Sequence, residues 1–227
     1  MLVVDHAVWV IGGWSQDEGL VRDVETLASK QSGWRTATML PTPRREAAAA
    51  VLGRELFVVG GFNGSSDGDT DAYLGTVEAY GLDTKRWERR ASLRSPRRGL
   101  ALLTDENFLY AIGGFAVEQG FLSSVERYDP TRDAWEPLAW PLTPRTWTAF
   151  VNAGEDFLLI GGFNRDGFLS LIERIDPRTG RVCHPPPLRT ARSWLAATVV
   201  NGQVLTFGGE QADGIGNTVE RTSAVCA

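Results

Sequence analysis

Short apolar runs recur along this chain, and each stops at a pair of glycines. Leu56-Phe57-Val58-Val59 runs into Gly60-Gly61, and Leu109-Tyr110-Ala111-Ile112 runs into Gly113-Gly114. Further pairs stand at Gly12-Gly13, Gly161-Gly162 and Gly208-Gly209, so the steps are 48, 53, 48 and 47 residues. Runs of this length bounded by glycine predict strands. Ahead of them lie small apolar segments over residues 47–52, 99–103, 148–151 and 195–200, which predict strands covered on both faces. Asn201-Gly202 predicts a hairpin turn. Past each glycine pair comes alternation, as in Val125-Glu126-Arg127-Tyr128, and Asp129-Pro130 or Asp176-Pro177 turns the chain into a fourth strand. No segment carries helical periodicity.

The spacing is more informative than the strands. A glutamate follows each glycine pair, at Glu25, Glu78, Glu126, Glu173 and Glu220. Nine residues past the first three stands a tryptophan, Trp34, Trp87 and Trp135, with Val182 in the fourth unit. Arginine follows ten residues later, at Arg44, Arg97, Arg145 and Arg192, and the next glycine pair sixteen beyond that. From glutamate to the following glycine pair the count is 35 in all four cases, whereas glycine pair to glutamate takes 13, 18, 13, 12 and 12. A fixed segment is constrained by packing; a variable one is a surface loop.

Four short antiparallel strands in a unit of about 50 residues predict the blade of a β-propeller. Gly-Gly, then Val-Glu-x-Tyr-Asp-Pro, then a spaced tryptophan resembles the kelch repeat, and the likeness covers nearly the whole chain. The run from Leu122 to Pro130 is similar to the propellers of BTB-kelch (kelch-like) proteins, which serve as substrate receptors of cullin-RING ubiquitin ligases. The expected fold is all-β: five consecutive four-stranded blades, over about 1–40, 41–93, 94–141, 142–188 and 189–227, the last lacking its outer strand. The resemblance implies six blades, so the five either close with strain or belong to a larger ring.

Each repeated residue has an expected task. The glycines let neighbouring backbones approach closely. Trp34, Trp87 and Trp135 are expected to wedge between blades, with Val182 marking a weaker contact. A charge kept at every unit of a packed array calls for a partner, so Arg97 is expected to pair with a glutamate such as Glu78 or Glu126, and Arg145 and Arg192 likewise.

The remaining signal lies in the loops. Trp14, Phe62, Phe115 and Phe163 follow the glycine pairs, with Glu210 breaking the series; Arg45, Arg98, Thr146 and Ser193 follow the recurrent arginine. In kelch-like receptors these positions line the substrate pocket, with an aromatic ahead of the Val-Glu strand that is matched here by Tyr73, Phe121 and Phe168. Exposed aromatics beside arginine are the material of protein-binding hot spots. The loop opening at Asn63 is about five residues longer than its counterparts and acidic, and is expected to form a negative rim. Asp67, Asp69, Asp71 and Glu78 fall at calcium-loop spacing, but Ala72 stands where that loop requires glycine, and Glu78 belongs to the repeat.

Composition narrows the function classes. With 23 basic and 28 acidic residues interspersed, the chain offers no basic field for nucleic acid or an anionic membrane. Its two histidines, His6 and His184, cannot furnish the ligands of a copper oxidase or a confident Ser-His-Asp set, so neither metal nor cofactor is expected and the protein does not read as an enzyme. Asp5 interrupts any signal-peptide core, and Cys183 and Cys226 are too few for a disulfide framework, which fits a reducing, cytoplasmic setting.

The expected function is therefore a protein-interaction module, capturing a partner or degron-like peptide on one face. Cullin-RING machinery enters only with a BTB region outside this chain. An actin-binding kelch protein and a kelch-type sugar epimerase are the alternatives.

Overall fold

Five antiparallel sheets follow one another in a computed structural model that describes residues 1–66 and 69–226. The first comprises strands Leu2–Val4, Ala7–Ser15, Gly19–Leu27 and Arg35–Met39, the second Ala48–Leu52, Glu55–Val59, Val77–Gly81 and Trp87–Arg90. Ala101–Thr104, Leu109–Ile112, Val125–Asp129 and Ala134–Leu138 form the third; Ala149–Ala153, Asp156–Ile160, Ile172–Asp176 and Arg181–Cys183 the fourth. The fifth has three strands, Ala196–Val200, Gln203–Phe207 and Val219–Ser223. Strands adjacent in sequence are adjacent in each sheet, and the first strands of successive sheets pack side by side. This is a five-bladed β-propeller. The Asn201-Gly202 hairpin forms as expected, with both residues at positive φ, 50° and 70°.

The core is divided among the seams between blades. Leu56, Val58 and Tyr80 of the second blade pack on Val4, Trp9 and Val24 of the first. Leu102, Leu109, Tyr128 and Trp135 of the third pack on Phe57, Val59 and Val77 of the second. Trp87 and Trp135 each reach back across a seam, donating from Nε1 to Thr38 Oγ1 (3.0 Å) and to the Ala91 carbonyl (2.8 Å). Trp34 does not wedge: it is 49% exposed, and among the described residues no hydrophobic cluster includes it. At the Val182 seam a ring arrives from outside the fourth strand. Trp140, from the loop between blades, joins the same cluster and stacks on Tyr110 at 5.5 Å. Among the described residues no hydrophobic cluster joins the fifth blade to the first. The alternating exposure of 196–200 departs from the expectation of a strand covered on both faces.

The recurrent arginine and glutamate meet inside the second, third, fourth and fifth blades. Nη2 of Arg44 lies 2.9 Å from Glu78, of Arg97 2.6 Å from Glu126, of Arg145 2.8 Å from Glu173 and of Arg192 3.4 Å from Glu220. All four arginines are buried. Nη1 of each donates to the carbonyl of the first glycine of a pair, Gly60, Gly113, Gly161 or Gly208, at 2.8–3.1 Å. Nε donates to the carbonyl two residues upstream, as in Arg97 to Ser95 at 3.1 Å. Desolvation pushes the Arg44, Arg97 and Arg145 guanidiniums below their ordinary value, and the facing carboxylate pulls each back up.

This clamp explains why the spacing is fixed and why glycine is needed. Gly60 sits at φ +64°, and a Cβ there would lie 2.7 Å from the Arg97 carbonyl, which accepts the Gly61 N–H at 2.8 Å. The lead-in to one blade thus crosses the glycine pair of the blade before it. Changing the sixteen-residue count from arginine to glycine pair would strand a buried charge, whereas the loop from glycine pair to glutamate takes 12 to 18 residues with the ion pair intact.

The cysteines depart from expectation. Cys183 and Cys226 are joined in a disulfide with their Cα atoms 6.1 Å apart. Two neighbouring bonds hold the same tail, Ala224 N–H to the Gly202 carbonyl and Arg174 Nη1 to the Ala224 carbonyl, both 3.0 Å. The bond links the end of the fifth blade to the outer strand of the fourth, the seam a fourth-strand tryptophan serves in earlier blades. It also removes the cysteine argument for a reducing compartment. No helix among the described residues is long and apolar enough to cross a membrane.

Two outcomes follow from these seams. Glu126→Ala leaves Arg97 charged and buried without its carboxylate, and chemical denaturation should show a loss of about 3–5 kcal/mol. Asp133 accepts the Ala91 N–H of the adjacent blade at 2.9 Å and the Tyr128 hydroxyl at 2.7 Å, which hold its carboxyl below the ordinary range. A depressed carboxylate stabilises the fold above its unfolded value near 4 and loses that contribution as pH falls through the folded value. Thermal melts taken through the acid range should fall less steeply for Asp133→Asn than for wild type.

Candidate partner-binding site

Residues far apart in sequence are brought together where strands leave the blades. Isolated antiparallel bridges join Arg45 to Phe62, Arg98 to Phe115, Thr146 to Phe163 and Ser193 to Glu210, and Phe62 also bridges to Tyr73. The bonds are backbone ones, such as Phe62 N–H to the Arg45 carbonyl at 2.8 Å and the reverse at 2.9 Å. In the third and fourth blades a two-residue hairpin extends beyond the sheet, setting Phe115 opposite Phe121 and Phe163 opposite Phe168. The three loop positions singled out from the repeat therefore converge within each of these blades.

Across blades they form an arc of aromatic rings. Phe62 meets Tyr73 at 5.2 Å, Tyr73 meets Phe115 at 6.2 Å, and Phe115 meets Phe121 at 5.2 Å. Phe121 meets Phe163 at 6.0 Å, and Phe163 touches both Phe168 at 5.1 Å and Trp147 at 6.0 Å. Trp147 stacks on Trp194 at 5.0 Å with planes 21° apart. Most contacts are tilted or edge-on, the arrangements the ring quadrupole favours.

Two cations lie over one end. The Arg45 guanidinium is 5.0 Å from the Phe62 centroid, and that of Arg98 is 5.2 Å from Phe62 and 5.3 Å from Tyr73. Arg98 Nη1 also approaches Glu46 Oε1 at 3.2 Å.

Three residues that the repeat arithmetic passed over belong here. Two positions past the recurrent arginine stand Glu46, Gly99, Trp147 and Trp194, all with φ between +51° and +62°. They form a backbone ladder from blade to blade: Gly99 N–H to the Glu46 carbonyl (2.9 Å), Trp147 to Gly99 (3.0 Å) and Trp194 to Trp147 (3.0 Å). Trp147 Nε1 donates to Glu46 Oε2 at 2.9 Å. Glu46, Gly99, Trp147, Trp194 and Leu195 line an open cavity of about 200 Å³. The signal for them was Gly99, whose register marks a left-handed position that two tryptophans and a glutamate share.

Burial corrects part of the expected surface. Phe62, Thr146 and Ser193 are buried, with 0%, 0% and 1% exposure, because their blades close over them. These side chains are enclosed and brace the arc from beneath. Tyr73, Phe115, Phe121, Phe163 and Phe168 are half-buried, and Trp14, in the first blade, is 59% exposed. Asn63 is exposed, its N–H bonded to the Ala72 carbonyl at 3.0 Å. Of the acidic insertion, Asp67 and Gly68 lie outside the described residues, while Asp69 and Asp71 are exposed. Glu78 is committed to Arg44, which takes it out of any calcium loop.

Bracing and exposed members should separate experimentally. Phe62→Ala removes a fully buried ring and should cost about 3–5 kcal/mol in denaturation, whereas Trp14→Ala at an exposed position should stay within about 1 kcal/mol of wild type.

Comparison with known proteins agrees with this geometry. The KLHDC2/KLHL20/DRC7 Kelch-repeats domain matches residues 1–209. The chain is similar to Kelch-like protein 38 of Mus musculus, 31% identical over 57% of this chain and 22% of that protein. It is similar to Kelch-like protein 36 of Bos taurus, 35% identical over 60% of this chain and 22% of that one, and to Kelch-like protein 25 of Homo sapiens, 29% identical over 64% and 23%. The matched part thus spans about a fifth of the length of these relatives. With the repeat spacing, the buried arginine–glutamate clamp and a profile match running over residues 1–209, the chain belongs to the kelch-repeat family.

Proposed function

We propose that this propeller is a protein-interaction module that captures a partner segment on the face carrying the aromatic arc. The observation that supports this reading is the arc itself: half-buried rings from three blades in mutual contact, with Arg45 and Arg98 held over one end. Interior packing does not call for aromatics in loops beyond the sheets, whereas a recognition surface gains large contact area at low entropic cost from rigid rings.

The partner chemistry follows from the cations. Arg45 and Arg98, the latter shared with Glu46, favour an acidic or hydroxylated segment, bound without covalent chemistry through charge-assisted hydrogen bonds and aromatic contact. In a longer polypeptide carrying a BTB region, the same face would act as the substrate-recognition surface of a cullin-RING ligase, the role that the kelch-like resemblance implies.

The test is affinity capture with wild type, Arg98→Ala and Phe115→Ala, each first shown by its thermal melt to be folded. A discrete partner held by wild type and lost from both variants is the expected result. Capture that survives both substitutions would place recognition elsewhere on the propeller.

A further inference from the structure

The fifth blade departs from the arc at two adjoining places. Glu210 follows its glycine pair where the other blades carry tryptophan or phenylalanine, and Trp194 stands where the third blade carries Gly99. Backbone bonds of 2.9 and 2.8 Å between Ser193 and Glu210 hold the two segments together, with Trp194 the next residue along.

Both side chains face outward. Trp194 is 51% exposed although one face of its ring is stacked on Trp147, and Glu210 is exposed as well. The tryptophan also sits at φ +53°, a left-handed conformation that a bulky residue adopts only against steric resistance. The same register holds Gly99 in the third blade and Trp147 in the fourth, so the Trp194 indole extends the stack that Trp147 begins and remains half exposed. Glu46 and Trp147 share that conformation, so it belongs to the repeat, and here it sets the indole on the rim of the fifth blade.

We propose that Trp194 and Glu210 form a subsite for a basic side chain, arginine or lysine, of the bound partner. The exposed ring face attracts a cation through its quadrupole, and the carboxylate supplies the counter-charge. Ile215, paired with Glu210 across a short hairpin and 91% exposed, offers an apolar surface for the methylene stem of such a side chain. The subsite rests on the reading of the arc as a recognition face. It gives that face a direction, with a partner's acidic residue toward Arg45 and Arg98 and a basic residue toward the fifth blade.

The indole N–H signal of Trp194, assigned in the 15N-labelled protein by its loss in Trp194→Gly, reports on the subsite. N-acetyl-arginine amide should shift it saturably, and N-acetyl-leucine amide at matched ionic strength should not. Glu210→Gln should weaken the arginine amide roughly two- to five-fold, about 0.5–1 kcal/mol, with an unchanged melt. An equal response to the leucine amide would make the site an apolar anchor and overturn the proposal. So would no response to the arginine amide, or an affinity indifferent to Glu210→Gln. Trp194→Phe, which keeps a ring against Trp147, supplies the same assignment if Trp194→Gly fails to fold. Partner capture abolished by Phe115→Ala while arginine amide leaves Trp194 unmoved would sink the subsite and keep the recognition face. Capture unaffected by Phe115→Ala while the arginine amide binds would do the reverse.

Discussion

A guanidinium buried at the end of each of the last four blades holds this propeller together. Arg44, Arg97, Arg145 and Arg192 each neutralise a glutamate on the third strand and satisfy the carbonyl of the glycine that ends the second. A buried ion pair alone is weak evidence of stabilisation, because desolvating two charges offsets most of their attraction. Here the guanidinium also completes backbone groups that the end of a strand would leave unpaired, so replacing the pair by apolar residues would orphan those carbonyls. The glycine pair belongs to the same unit, since the lead-in to the next blade passes within van der Waals reach of it.

The seams between blades take different forms of one contact. Trp87 and Trp135 bridge to the preceding blade by packing and an indole hydrogen bond. Trp140 arrives from a loop to fill the seam beside Val182. The tail of the fifth blade is tied by Cys183–Cys226 in place of a strand. What persists is the need to anchor the outer edge of one blade on the last, and several chemistries meet it.

The recognition face follows from the scaffold. Because strand ends are fixed by the clamp, residues beside the recurrent arginine and beside the glycine pair must meet, and their backbones bridge accordingly. Loop rings then touch across blades because the blades are radial neighbours. The face has cations over one end and an exposed carboxylate beside an exposed indole at the other.

Strand order, the five blades, the arginine–glutamate pairing and the three convergent loop positions were all legible in residue types and counts, because each depends on a local constraint repeated at fixed spacing. Burial was not. Phe62 and Phe115 occupy the same place in the repeat, yet one is enclosed and the other half-open, since enclosure depends on what a neighbouring blade and its loop place nearby. The same holds for Trp34, half exposed where Trp135 is buried, and for the partnership of Cys183 with Cys226, which needed a tail folded back across a seam. Trp147 and Trp194 went unread because their importance lies in a left-handed backbone and a stack between two blades. Repetition wrote the scaffold into the chain; only the radial packing of one copy against the next decided which side chains remain on the surface.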